Sequence, residues 1–216
     1  MHSEIKSANQ PKPSFIETAR RAQIIDCAVE VIAELGFAQA SLAQIAKRAG
    51  VSTGVILYYF AGKDELIREV GVHVFTTGRS SIEPLVQQQL DARSALRTFI
   101  EASVAYIAAN PKKVLAIMNI QRAGRSDGGT LKIDPTVYQP RQIGFRNILE
   151  WGQRDGEFRT FSVGVMVETI VEALDAIPSQ LAADPSLDLD AYAKELVELF
   201  DRATRADTPV QELRVR

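Results

Sequence analysis

The sequence predicts an all-α chain of about nine helices, with a small N-terminal helical domain followed by a larger helical one. Three observations predict it. Nearly every segment repeats its apolar residues at three- and four-residue steps, and none alternates apolar and polar positions long enough to make a strand. Serine, threonine, glycine and proline stand where helices should start and stop. The length of 216 residues fits a domain of roughly 50 to 60 residues joined to a larger one.

The first helix is predicted from about Ile16 to Leu35, because Ile25, Ala28, Val29, Ile32 and Leu35 make one apolar stripe. Gly36 ends it, as a residue that tolerates the left-handed conformation beyond a helix. Ser41-Leu42-Ala43-Gln44 has the spacing of a capping box, with Leu42, Ile45, Ala46 and Ala49 on the inner face of a short second helix. Gly50 breaks that helix, Val51 turns inward, and Ser52 or Thr53 caps a third helix reaching about Phe60. After an Ala61-Gly62 turn, Lys63-Asp64-Glu65-Leu66 opens a fourth. Longer helices follow at about 92–109, 111–122, 136–153, 163–183 and 188–204, and residues 123–135, with Gly124, Gly128 and Gly129, form the least structured interior segment. The expected division is a domain at 14–66, a second at 67–206, and flexible tails at 1–13 and 207–216.

Several function classes are excluded. No apolar run approaches the roughly 20 residues that span a bilayer, and the polar start Met1-His2-Ser3-Glu4 is not a secretory signal; a cytoplasmic protein is expected. The single Cys27 cannot form an internal disulfide and is read as a buried, inert thiol. With His2 and His73 it makes too few ligands for zinc. No metal site and no cofactor are expected. Two histidines, no nucleophile–base spacing and no phosphate loop argue against an enzyme. The net charge of −2 argues against a nonspecific nucleic-acid binder. Between residues 12 and 68, however, seven basic residues meet six acidic ones, so the acidic excess lies elsewhere.

The third helix carries the functional signal. Val51, Ile56, Phe60 and Tyr59 are predicted to face a core, leaving Thr53, Gly54, Val55, Leu57 and Tyr58 outward. That outward face has no charge, whereas a solvated helix normally carries Lys or Glu. Two short helices around a glycine turn form a helix-turn-helix. In a major groove, Val55 would meet a thymine methyl and Thr53 a base edge, while Gly54 permits close backbone approach. The competing reading is an interior helix between two cores.

The stretch from Ile24 to Leu66 resembles the DNA-binding domain of TetR-family regulators. The residues that carry the likeness are Ile24-Ile25, Ala28, Gly36, Ile45-Ala46, Ala49-Gly50-Val51-Ser52, Gly54, Tyr59-Phe60, Lys63 and Leu66. Ser52-Thr53-Gly54-Val55-Ile56-Leu57-Tyr58-Tyr59-Phe60 is similar to the BetI-like subgroup, with Leu57 where many members place a phosphate-contacting tyrosine. The resemblance implies that Ser41, Gln44, Ser52, Tyr58, Tyr59 and Lys63 hold the DNA backbone, while Thr53, Gly54, Val55 and Leu57 sit against bases. A polar arm with Lys12, Arg20 and Arg21 either adds DNA contacts or is solvated.

The resemblance also implies a regulator that binds a palindromic double-stranded operator as a homodimer through its last two helices, a repressor released by a small-molecule effector, with an activator as the alternative. A small-molecule effector occupies the larger domain. The expected lining is Phe99, Ser103, Tyr106, Met118, Gln121, Arg122, Phe145, Leu149 and Trp151. Arg122 invites an anionic ligand or is a surface residue. His73 is a pH-sensitive hinge or a plain histidine, and the 123–135 segment gates entry or merely connects.

Overall fold

The computed structural model describes residues 14–126 and 135–206. Within them the chain forms α1 (Phe15–Leu35), α2 (Leu42–Ala49), α3 (Thr53–Tyr59), α4 (Lys63–Gln87), α5 (Ala92–Ala109), α6 (Pro111–Ser126), α7 (Pro135–Arg154), α8 (Val163–Ala183) and α9 (Leu189–Thr204). No strand occurs among the described residues. Lys12, the expected tails and Gly128 and Gly129 lie outside the described residues.

Local chemistry sets the first boundaries. Ser14 caps α1 with a complete capping box, its hydroxyl accepting from Glu17 N at 3.2 Å while the Glu17 carboxylate accepts from Ser14 N at 2.7 Å. Ser41 makes half of the expected box, accepting from Gln44 N at 3.2 Å. Gly50 sits at φ 66° and ψ 32°, a left-handed conformation that favours glycine and lets the chain turn sharply between α2 and α3. One end departs from the expected boundaries. The α6 helix runs on to Ser126, carrying a buried Gly124 as a helical residue rather than a breaker. The α4 helix continues through Pro84, whose exposed position leaves only one ladder bond missing near its end.

The buried side chains fall into two cores. The first joins α1, α2 and α3 to Leu66, Ile67, Val70 and Val74 of α4, and it takes Ala116, Ile117 and Ile120 from α6. The second gathers Ile82 of α4 with α5, α7, α8 and α9. Two helices therefore span both regions. The α4 helix crosses the 66/67 division without a break. The α6 helix docks directly on α1, where Asn119 Nδ2 donates to the Ile32 carbonyl at 3.0 Å.

Charge reinforces that docking. Glu34 of α1 accepts from Arg48 of α2 at 2.5 Å and from Lys112 of α6 at 3.3 Å. The Arg48 bond first, then the Lys112 bond, holds the Glu34 carboxyl down at about 2. Because the folded chain lowers this value, the stabilisation is present above the ordinary 4.5 and is lost as pH falls through about 2. The pairs are at the surface, so the effect is modest. Glu34→Gln should flatten the acid-unfolding curve between those limits, read by circular dichroism; an unchanged slope would mean the bridge adds nothing.

Candidate nucleic-acid interface and ligand cavity

The α3 helix is short and anchored along one side. Ile56 is fully buried and Phe60 is 1% exposed, while Val51 and Tyr59 pack half-buried against the same core. Ser52 caps it, accepting from Val55 N at 3.3 Å. The opposite side is open. Tyr58 is 74% exposed and Leu57 50%, Thr53 and Val55 are half-buried, and Gly54 is exposed. These residues form an uncharged face on the molecular surface rather than a seam between two cores. A Cβ on Gly54 would meet only Ser52 Oγ at 3.6 Å, so packing within the chain does not require a glycine there.

Arg21 fixes the far end of this helix. Its guanidinium donates to the Tyr59 carbonyl at 2.5 Å, lies 3.6 Å from Glu65 and 3.3 Å from Glu69, and stacks 4.3 Å above the Phe60 ring. Arg20 and Arg21 are thus residues of α1 rather than of an N-terminal arm, because the capped helix begins before them. Arg20 donates to Gln23 at 2.8 Å. Lys63 donates to the Phe37 carbonyl at 3.0 Å and sits 4.4 Å over the Phe37 ring, at the exposed start of α4. Ser41 and Gln44 are exposed at the start of α2. Buried residues of α2, α3 and the first turns of α4 share one small core.

The larger region contains a cavity of about 370 Å³, walled by α4, α5, α6 and α7 and touching Asp175 of α8. Phe99, Ser103, Tyr106, Met118 and Gln121, all expected from sequence, line it. So do Phe75, Arg79, Ile82, Val114, Val137 and Arg141, which sequence reasoning missed. Phe145 and Leu149 do not line it. Both are fully buried in the second core, where Phe145 stacks 3.9 Å behind the Phe99 ring. Trp151 also lies outside the wall, its indole donating to Asp155 at 2.6 Å. Phe145 and Leu149 continue the helical stripe of Val137 and Arg141, but at that end of α7 the stripe faces the second core.

Tyr106 ties the cavity to α4. Its hydroxyl donates to the Val74 carbonyl at 3.1 Å, and burial pushes the phenol up to about 12, so it stays a donor at neutral pH. A second depression of about 640 Å³ adjoins the first and has a more polar wall. Arg122 lies on it and donates to Ser179 at 2.8 Å. His73 of α4 faces Asp26 of α1 at 3.5 Å, across the junction between the two helices. Cys27 is half-buried, and burial followed by the Glu30 charge pushes its thiol up, which makes it a poor nucleophile. Among the described residues no helix is long and apolar enough to cross a membrane. No cluster of three or more metal-ligating side chains occurs among them.

Comparison with known proteins agrees with this geometry. Residues 24–70 match the family of bacterial regulatory proteins described as the tetR family. The chain is 50% identical over 52 residues to the transcriptional regulator BetI 1 of Chromohalobacter salexigens, a match covering 24% of this chain and 26% of that protein. BetI of Escherichia coli K12 matches at 50% over 52 residues, 27% of its length. The chain therefore aligns with about a quarter of these relatives. Over most of its length the fold is similar to that of the fatty acid degradation regulator FadR from Bacillus halodurans, with a TM-score of 0.76, 24% identity, and coverage of 95% of this chain and 100% of that one. FadR of Bacillus subtilis, solved with stearoyl-CoA, is similar at a TM-score of 0.73 and 24% identity, covering 82% of this chain and 96% of that one. Residues 24–70 thus carry the signature of the tetR family of bacterial regulatory proteins on an exposed helix-turn-helix, and the helices behind it have the fold of these solved structures.

Proposed function

We propose that this protein is a homodimeric, sequence-specific regulator that binds a palindromic operator and is released from it by a small molecule. Residues 14–66 form the DNA-binding unit, and 67–206 the effector and dimerisation unit. The observation that carries the reading is the uncharged, exposed face of α3, held by a buried back and flanked by capped helix starts. Thr53, Gly54, Val55 and Leu57 meet base edges in the major groove. Ser41, Gln44, Ser52, Tyr58, Tyr59 and Lys63 hold phosphates, and the backbone N–H groups at the starts of α2 and α4 favour anions.

A dimer is supported by apolar side chains left exposed on the outer face of α8 and α9, Val165 at 63% and Leu199 at 58%. Two copies paired there would set two α3 helices about 34 Å apart, one turn of duplex. The cavity supports effector control, because α4 and α6 form its walls and also pack in the DNA-binding core.

Selecting bound duplexes from a random pool tests the reading. A palindromic consensus is expected, and no enrichment after several rounds at low salt would contradict it. On that consensus Val55→Ala should change base preference at one position in each half-site. Tyr58→Ala should instead weaken all sequences alike and leave the salt slope nearly unchanged, because an uncharged phenol neutralises no phosphate. Uniform weakening by Val55→Ala would show that α3 is docked the other way round.

A further inference from the structure

The boundary between the two depressions indicates what enters them. The inner chamber is largely apolar, with Phe75, Ile82, Phe99, Val114 and Val137 in its wall, and its volume is about 370 Å³. An apolar cavity of about 150 Å³ already takes up benzene, so this one suits a longer hydrocarbon. The outer chamber, about 640 Å³, presents Gln121, Arg122, Gln142, Glu172, Ser179 and Gln180. Phe75, Met118, Gln121, Arg141 and Asp175 belong to both walls and form the neck between the chambers, where Arg141 and Asp175 pair at 2.8 Å.

The neck has a defined chemical need. Arg141 gives one terminal nitrogen to Asp175, but its Nε is buried and has no hydrogen-bond partner among the described residues. Ser103 Oγ, in the inner wall, is buried in the same condition. A guanidinium N–H only donates, so what it needs is an acceptor oxygen. That oxygen need not be charged. Asp175 already balances Arg141, and the other charged residues of the two walls, Arg79 and Arg122 against Glu83 and Glu172, are equal in number, so the site carries no net charge to hold a free ion of either sign. A carboxylate at the neck would face Asp175, and a cation would face Arg141.

We propose that the two chambers are one site for an acyl amphiphile, an ester, amide or thioester of an aliphatic acid. Its carbonyl oxygen accepts from Arg141 Nε at the neck. The hydrocarbon chain lies in the inner chamber and the polar head in the outer one. This deepens the effector reading above and rests on it only for the consequence at the DNA.

Equilibrium dialysis of the full chain without DNA tests the proposal, using glycerol monolaurate, dodecanoate and dodecyltrimethylammonium, each below its micelle concentration. The uncharged ester is expected to bind at least about tenfold more tightly than either ion. Arg141→Lys keeps a cation opposite Asp175 but has no Nε–H, and it should weaken the ester about tenfold, the scale of one hydrogen bond to a charged group. Val114→Trp, filling the inner chamber, should abolish ester binding while glycerol alone remains unbound. The comparison of three probes on the unaltered chain stands even if a variant fails to fold. Absence of ester binding, preference for either ion, or full affinity in a folded Arg141→Lys protein would overturn the proposal. A chain that retards operator DNA yet ignores all three probes overturns it too, and leaves the regulator reading standing.

Discussion

Tyr58→Glu is expected to abolish operator binding while the protein stays folded. Tyr58 is 74% exposed and its ring meets Tyr59 edge-on at 5.0 Å. Replacing an exposed side chain away from a core or a cap changes stability by within about 0.5 kcal/mol. The new carboxylate would instead stand against the phosphate backbone, where like charges brought together cost several kcal/mol. A loss of at least a hundredfold in affinity, ~2.7 kcal/mol, follows. Band shifts at low salt and thermal unfolding of the same preparation read the two halves of this expectation. Retained binding with a normal melting temperature would remove Tyr58, and the face it belongs to, from the interface.

Phe60→Ala should act on the opposite side of the same turn, through stability. Phe60 is 1% exposed in the first core and supports the Arg21 guanidinium on its ring. Truncating a buried phenylalanine removes apolar contact and leaves a cavity, costing about 3–5 kcal/mol. For a chain of this size that corresponds to a fall in melting temperature on the order of 10 °C. Because Arg21 also holds the Tyr59 carbonyl, the end of α3 would loosen and operator affinity would fall with it. Leu57→Ala, one helical turn away and half exposed, should leave the melting temperature nearly unchanged. Equal destabilisation by the two would mean that α3 is buried on both sides.

Much of this was legible in the sequence because it is local. The 3.6-residue stripe of Ile25, Ala28, Val29 and Ile32, the Ser41 and Ser52 caps and the Gly50 turn each depend on neighbours within a few positions. The uncharged α3 face was legible for the same reason. Contacts between distant segments were not. Arg21 reads as a loose basic residue until the fold brings Tyr59, Glu65 and Glu69 to it. Arg141 and Asp175 are separated by 34 residues, and no short-range pattern couples them. Phe145, Leu149 and Trp151 were misplaced because periodicity identifies an apolar face without saying what it meets; Phe145 and Leu149 meet the second core. Gly124 was read as part of the least structured segment, although a glycine in a helix costs only about 1 kcal/mol and can be carried by packing.

Hydroxyl-radical oxidation of the unaltered protein, with and without its selected operator duplex, probes the exposed face of α3 without any substitution. Leu57 and Tyr58 should oxidise readily in the free protein and be protected several-fold when DNA is bound. Exposed Leu199, on the far face, should not be protected by the duplex. Unchanged oxidation of Leu57 and Tyr58 in a complex shown to be saturated would contradict the assignment of α3 as the element that meets DNA.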